Sequence, residues 1–374
     1  MSKSGITATR RLRGTPYSKR VEEAGAKAYT IYNHMLLPTL FESFEADCHH
    51  LKNNVQIWDV AAERQVEVKG KDARKLAIMM SARDLTNAKP GKCYYAPICG
   101  PDGGMINDPI ALCLADDHFW FSIADSDMKL WAEGLAVGMG LDVSVTEPDV
   151  SPLAIQGPQA EDLMARAFGD EIRDVKFFNF KAFPFKGRVL NIARSGWSKQ
   201  GGFEIYLDDS SLGLDLWDHI VAQANDFDLR AGCPNLIERV ESGLLSYGND
   251  MTREDTPLQI GLEKYVGLDA DVEFIGKQAL LRQRDAGISS KLMGLIIEGP
   301  KLPGVAMPLP ISVGSKTMGK VTSGVYSPEM ENNLAFAMLD IDQTQIGTKV
   351  SVATLHAGTQ EAEVVQIDKL YSRI

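Results

Sequence analysis

One stretch, Pro101-Asp102-Gly103-Gly104-Met105-Ile106-Asn107-Asp108-Pro109-Ile110, constrains this chain more than any other. Gly103-Gly104 behind Pro101-Asp102 is turn chemistry, because glycine reaches the positive φ of a tight reversal without steric cost. The residues that follow, through Ala115, read as a strand whose side chains alternate faces with period two. On the even face stand Ile106, Asp108, Ile110, Leu112 and Leu114, four large apolar groups and one carboxylate. A carboxylate on a core-facing side is costly unless it is paired or put to use. Pro109 removes a ladder donor beside it, which predicts an edge strand or an interruption here. An aspartate that caps a bulge or bonds a nearby loop gives the same pattern. Periodicity alone leaves Asp108 between the two roles.

The 374 residues suffice for two or three domains with sizeable cores. A net charge of −11 argues against nucleic acid as the main partner. No apolar run approaches the roughly 20 residues that cross a bilayer, so no membrane span is predicted. Cys48, Cys93, Cys99, Cys113 and Cys233 are odd in number and form no CxxC pair. That usage fits a reduced, cytoplasmic protein rather than a disulfide scaffold or a zinc site. His49-His50 is the only histidine pair, and adjacent side chains rarely ligate one metal; exposure is expected there, and no metal. Lys3, Arg10, Arg11, Arg13, Lys19 and Arg20 precede the first acid, Glu22. Without the apolar segment of a secretion signal, this start is expected to be a solvated arm.

An aromatic extended segment is expected over residues 28–40, then strands at 55–60 and 65–68. Ala73, Leu76, Ala77 and Met80 share one stripe of a helix over 72–80. Residues 94–99, 105–115 and 118–124 read as a three-stranded meander, followed by a helix capped by Ser126 or Asp127. A second unit of similar order begins at Ser151: a strand ending at Gly157, a helix opened by Pro158, strands at 188–193 and 202–207, and a helix over 212–224. Asn235 with Glu238 resembles a capping box for a helix over 236–245. The two halves share element order but no sequence repeat. A helix over 277–284 precedes a change of texture near residue 288. Short apolar runs between Gly, Pro and Ser then predict a small β-barrel or sandwich. The fold class is α+β, with antiparallel sheet.

No GxGxxG, GxxxxGK[ST] or GxSxG is present, so a dinucleotide fold, a P-loop and a nucleophile elbow are unsupported. Two further stretches are dense in chemistry. In Ser195-Gly196-Trp197-Ser198-Lys199-Gln200-Gly201-Gly202-Phe203-Glu204-Ile205-Tyr206, glycines flank a tryptophan, so backbone can approach a flat ligand. Glu204 and Tyr206 share one strand face; Phe203, Ile205 and Leu207 share the other. A solvated Glu204 and a Trp197 that plugs its loop onto the core is the plain alternative. The other stretch is Arg239-Val240-Glu241-Ser242-Gly243-Leu244-Leu245-Ser246-Tyr247-Gly248-Asn249-Asp250, where ordinary helix C-cap chemistry also accounts for the glycine.

Together these stretches resemble the aminomethyltransferase family typified by the T-protein of the glycine cleavage system. Gly103 to Asp108 is similar to its GGIxDD, Leu153 to Pro158 to its LALQGP, and Gly201 to Ile205 to its EDGFEI. Arg239 to Asp250 resembles RxExGxxxYGxD, Phe274 to Lys277 is FIGK, and Val321 to Gly324 with Ser327-Pro328 resembles its barrel motif. The matches run in order over nearly the whole chain. The resemblance implies a three-domain folate-binding fold: residues 1–150 carrying the Asp108 hairpin, 151–287 completing a tetrahydrofolate pocket, and 288–374 forming the C-terminal β-barrel. It further implies Asp108 as the functionally essential, catalytic aspartate and Glu204 as the acid that holds the pterin. Tyr95, Arg239 and Tyr247 would line or support the folate.

Departures from the family pattern bear on the substrate. Trp197 stands where the family has Tyr, Lys199-Gln200 replace an acidic pair, Asn107 replaces the first of two aspartates, and Asp368 to Tyr371 depart from a C-terminal PFY. These changes argue against a lipoyl-carrier substrate. Ala193 to Tyr206 and Arg10 to Tyr17 look most like the family's dimethylsulfoniopropionate demethylase branch. That resemblance implies methyl transfer from a small sulfonium to tetrahydrofolate, giving 5-methyltetrahydrofolate and methylmercaptopropionate. Aromatic faces hold soft cations, which makes Trp197, Tyr206 and Tyr32 candidates for binding the substrate. Arg194 or Lys199 is a candidate for its carboxylate. The alternatives are demethylation of another onium or a methylamine, and glycine-cleavage aminomethyl transfer. A folate-binding iron–sulfur assembly factor is the non-enzyme alternative, although Gly91-Lys92-Cys93-Tyr94 matches that motif only in part and in the first domain. A homodimer is compatible with all of them.

Overall fold

Strands alternating large apolar with polar residues form two sheets in the first two-thirds of the chain. A computed structural model describes residues 9–305 and 307–370. The chain divides into two compact units. One comprises the residues up to 80 with 85–96 and 107–235; the other comprises 81–84, 97–106 and the residues from 236 onward.

The first unit holds a six-stranded sheet in the order Phe180–Phe185, Arg188–Ala193, Gly202–Leu207, Ser151–Gln156, Val55–Asp59, Leu229–Gly232. Only the last pair is parallel. Phe203, Ile205 and Leu207 enter a core shared with Leu163 and Leu216 of the helices Ala160–Phe168 and Gly213–Ala222. A five-stranded sheet runs Ser144–Thr146, Gln65–Lys69, His118–Ser122, Ile110–Ala115, Lys92–Tyr95. The helix Ala73–Met80 buries the four residues expected of it. A second core of Cys93, Leu112, Trp120, Val150, Phe180, Ala193 and Tyr206, flanked by Ile110 and Leu114, draws on both sheets.

The strand expected over 105–115 is broken. Met105–Asn107 forms a separate ladder with Ile98–Cys99, and Ile110–Ala115 joins the larger sheet. Pro109 has no N–H for a ladder, although its carbonyl accepts from Ala96 N at 2.9 Å. Both faces of the segment are covered: Met105, Asn107, Ala111 and Cys113 are buried as deeply as Leu112. The expected aromatic segment over 28–40 is the hairpin Ala28–Tyr32 and Met35–Leu40.

Two surface expectations fail. The solvated arm, where it is described, packs: Tyr17 and Val21 enter the core, and Thr15 Oγ1 donates to Asp59 at 2.5 Å. The first eight residues lie outside the described structure. His50 is buried, with Nε2 3.0 Å from Asp228 O, because its helix turns it toward the sheet edge, while His49 stays exposed.

In the second unit a closed barrel runs Ser290–Ile297, Asn332–Asp340, Lys316–Ser327, Leu309–Val313, Lys349–Thr354, Gly358–Val365. Leu295, Ile311, Val321, Ala337, Leu339, Val352 and Val364 fill it, the period-two pattern read from the sequence. The helix expected over 236–245 stops at Ser242, where Gly243 turns with φ +70°. Among the described residues no helix is long and apolar enough to cross a membrane, and no cluster of three metal-ligating acids, cysteines or histidines occurs.

Candidate active site

Gly103 and Gly104 make a turn that admits no other residue. Gly103 has φ +85°, and a Cβ on Gly104 would run into the backbone carbonyl of Arg253. Arg253 donates to Asp102 Oδ1 and to Gly104 O, both at 2.8 Å. The chain leaves this turn through Asn107, which has no exposed surface. Asn107 Oδ1 accepts from Ala124 N at 3.0 Å, while Nδ2 donates to Ala124 O at 2.9 Å and Ser126 Oγ at 2.7 Å. Only an amide gives and receives in this way, which explains an asparagine where an acid was the alternative. Asp108 follows, half-buried, and Oδ2 accepts from the Tyr95 hydroxyl at 2.9 Å.

Glu204 is 7% exposed, not solvated. Its Oε2 accepts from Ser195 Oγ and, at 3.3 Å, from the Tyr206 hydroxyl; among the described residues no hydrogen bond reaches Oε1. Burial pushes its carboxyl above the usual range, and the two hydroxyls hold it part of the way down. Tyr206, at 1% exposure, braces Glu204 and sets its ring 6.2 Å from Trp120. The Trp197 loop is fixed by Gln156, which sequence reasoning passed over although it lies in the quoted Leu153 to Pro158 motif. Gln156 Nε2 donates to Ser195 O at 3.1 Å and Oε1 accepts from Ser198 Oγ at 2.8 Å. A Cβ at Gly196 or Gly202 would strike the same side chain, so both glycines are packing requirements. Trp197 is half-buried.

A third carboxylate, missed in the sequence, completes the group. Glu63 is raised well above the carboxylate range by burial first and then by the charges of Glu204 and Asp108. Tyr32 belongs here too: burial raises its hydroxyl, as do the charges of Glu63 and Asp108. Asn33, at the hairpin tip with φ +48°, fixes it in place. Its Nδ2 donates to Ala62 O at 3.0 Å and its backbone N–H to Asp125 Oδ1 at 2.7 Å. The lone acid after Val60-Ala61-Ala62 was the available signal for Glu63.

The first unit therefore brings together Tyr32, Tyr95, Asp108, Glu204 and Tyr206, with the Trp197 loop tied to Ser195 and Gln156. Three acids and a wall of tyrosines suit a ligand that offers N–H donors or positive charge. Arg239 and Tyr247 belong to the second unit. There Arg239 pairs with Asp250 at 2.8 Å and donates to Ser323 Oγ at 2.5 Å, and the Tyr247 hydroxyl donates to Met105 O at 3.2 Å.

Fold and motif order define the class: the chain belongs to the glycine cleavage T-protein family. Residues 17–270 match the GCVT N-terminal domain and residues 291–367 the glycine cleavage T-protein C-terminal barrel domain. Within the family, the chain is 50% identical over 351 residues to dimethylsulfoniopropionate demethylase DmdA of Ruegeria pomeroyi, covering 94% of this chain and 96% of that protein. An aminomethyltransferase of Thermoanaerobacter pseudethanolicus is 28% identical over 324 residues, 84% of this chain and 86% of that one. The fold is that of aminomethyltransferase T from the Bartonella henselae glycine cleavage system, with a TM-score of 0.85 over 97% of this chain and 99% of that one at 22% identity.

Proposed function

We propose that the chain is a tetrahydrofolate-dependent demethylase that moves one methyl group from dimethylsulfoniopropionate to tetrahydrofolate. The products are 5-methyltetrahydrofolate and methylmercaptopropionate. The observation that carries this reading is the gap between 50% identity to a relative of that name and 28% to an aminomethyltransferase.

The residues present fit a folate. Glu204 is a buried carboxylate with Oε1 uncommitted among the described residues, able to accept N–H bonds from an aminopyrimidine edge. Tetrahydrofolate, when bound, supplies the nucleophilic nitrogen. Asp108, oriented by Tyr95, holds the proton-bearing nitrogen in line and lends negative charge to the site. Trp197 and Tyr32 offer ring faces to the sulfonium; Tyr206 acts on the site through Glu204. As the methyl carbon passes to the nitrogen, the C–S electron pair stays on sulfur, the leaving group is a neutral thioether, and the nitrogen's proton is released to solvent. No general acid is needed there.

The division into domains 1–150, 151–287 and 288–374, a homodimer, a cytoplasmic location and the absence of a nucleic-acid partner belong to the same reading. The iron–sulfur assembly alternative is disfavoured because Cys93 is buried and its thiol is pushed up by that burial. The test is a substrate screen with tetrahydrofolate. Dimethylsulfoniopropionate is expected to yield 5-methyltetrahydrofolate, and glycine betaine and dimethylglycine little or none. Turnover only with a lipoylated carrier would instead make the chain an aminomethyltransferase.

A further inference from the structure

Gln156 ends the strand Ser151–Gln156, which lies between Gly202–Leu207 and Val55–Asp59 in the six-stranded sheet, so its backbone is laddered on both sides. Its register partner on one side is Gly202, two residues before Glu204, and Glu204 is paired with Ala154. Side chains two apart on a strand share a face, so Gln156 and Glu204 stand on the same side of the sheet. Glycine opposite Gln156 leaves the space through which its side chain crosses to residues 195–198; a Cβ at Gly202 or Gly196 would strike the carboxamide. The Ser195 carbonyl can only accept, which fixes the end of the amide that faces it. Nε2 donates to Ser195 O at 3.1 Å, and Oε1 is left to accept from Ser198 Oγ at 2.8 Å. Just beyond, Gly157 N donates to Gly201 O at 2.9 Å. The fully buried carboxamide therefore bridges the two residues that bracket Gly196-Trp197. Ser195 Oγ donates separately to Glu204 Oε2, but Glu204 is held by its own strand, laddered to Ala154 and Ala193.

We propose that Gln156 is a positioning residue for the methyl donor: its carboxamide clamps the 195–198 turn and so presets the Trp197 ring for the sulfonium. The inference rests on the demethylase reading and adds to it the residue that orders the donor loop. A loop held in its binding conformation beforehand does not have to be ordered when the ligand arrives, and that part of the affinity is lost with the clamp. Ring and cation attract in the bound donor at least as strongly as in the transition state, where the charge on sulfur is already falling. The clamp should therefore act on donor KM more than on kcat. Folate binding should respond little, because Glu204 keeps its strand when the amide is gone. A side chain that only packed the core would move both substrates together.

The test compares wild type with Gln156→Met, which keeps the length of the side chain without its amide, and with Ser198→Ala and Ser198→Thr on the loop. Gln156→Met should raise the KM for dimethylsulfoniopropionate by about tenfold or more, with kcat and tetrahydrofolate affinity each within about threefold of wild type. Ser198→Ala removes only the bond to Oε1 and should raise the same KM by about threefold, whereas Ser198→Thr keeps a hydroxyl and should stay near wild type. The double variant should be no worse than Gln156→Met alone, because both changes remove one shared bond. Acrylamide quenching of Trp197, taken as the difference between each protein and its Trp197→Phe counterpart, should rise in Gln156→Met and in Ser198→Ala and needs no substrate. An unchanged donor KM in a folded Gln156→Met variant overturns the assignment, as does a loss of folate affinity as large as that for the donor, or full additivity in the double variant. If Gln156→Met does not fold, the two Ser198 variants and their quenching decide. A wild type that demethylates no sulfonium removes the demethylase reading and the donor role with it; unchanged Trp197 quenching with wild-type turnover intact removes the clamp alone.

Discussion

Two clusters of buried charge, one in each compact unit, are built in opposite ways. In the second unit Asp250 is fully compensated: it accepts from Arg239, Thr322 Oγ1 at 2.8 Å, Ser323 Oγ at 2.5 Å and Ser246 N at 2.9 Å. Ser323 in turn accepts from Arg239, and Arg239 lies over the Phe336 ring. In the first unit the charges of Glu204 and Asp108 add to burial in pushing the Glu63 carboxyl up, and neither Glu63 nor Glu204 has an ion pair among the described residues. A closed network has no capacity left for a ligand; an open one has little else to offer. The contrast separates scaffold from site more sharply than burial alone, since Asp250 and Glu204 are both buried.

The comparison breaks if the clusters respond alike to substitution. Asp250→Ala should cost about 3–5 kcal/mol, because it strands the Arg239 guanidinium in the interior; denaturant unfolding reads this. Asp108→Ala should lower kcat/KM by about a hundred- to a thousandfold while stability shifts by no more than about 1 kcal/mol, as activity and melting measured together would show. Asp59 sharpens the comparison as an intermediate case. It is buried and bonded to Thr15 and Ala61, yet its carboxyl is pushed up to about 6 from 3.8. A raised carboxyl favours the protonated folded form, so its cost is absent near pH 4, grows through pH 6 and is complete above it. Asp59→Asn should therefore stabilise at pH 7.5 by up to about 3 kcal/mol, less whatever the two hydrogen bonds lose, and the gain should vanish near pH 4. The smallest effect expected is about a tenfold loss of tetrahydrofolate affinity in Glu204→Gln without loss of stability, measured by titration of the folate.

Much of this was legible in the sequence. The period-two runs gave the strands at 188–193 and 202–207 to the residue, and the barrel, because alternation maps directly onto two faces. Asp108 stood out as one carboxylate among apolar neighbours, and the motif order placed it in a family. What stayed hidden depends on contacts distant in sequence. Gln156 looked like one more polar residue at a strand end; its work is on Ser195 and Ser198, some forty residues on. Asn33 holds Ala62 and Asp125 from a hairpin that read only as extended. Glu63 gave a weak local signal, because a lone acid after two alanines is most often exposed. The broken strand at Pro109 was foreseen as an interruption, but the partner that takes over Met105–Asn107 was not.

The central claim is methyl transfer between two small molecules, and a methyl balance tests it directly. Purified protein incubated with dimethylsulfoniopropionate and tetrahydrofolate should release one methylmercaptopropionate for each 5-methyltetrahydrofolate formed, with none of either when one substrate is withheld. Methylmercaptopropionate formed without tetrahydrofolate, or no 5-methyltetrahydrofolate from the sulfonium, would contradict the account.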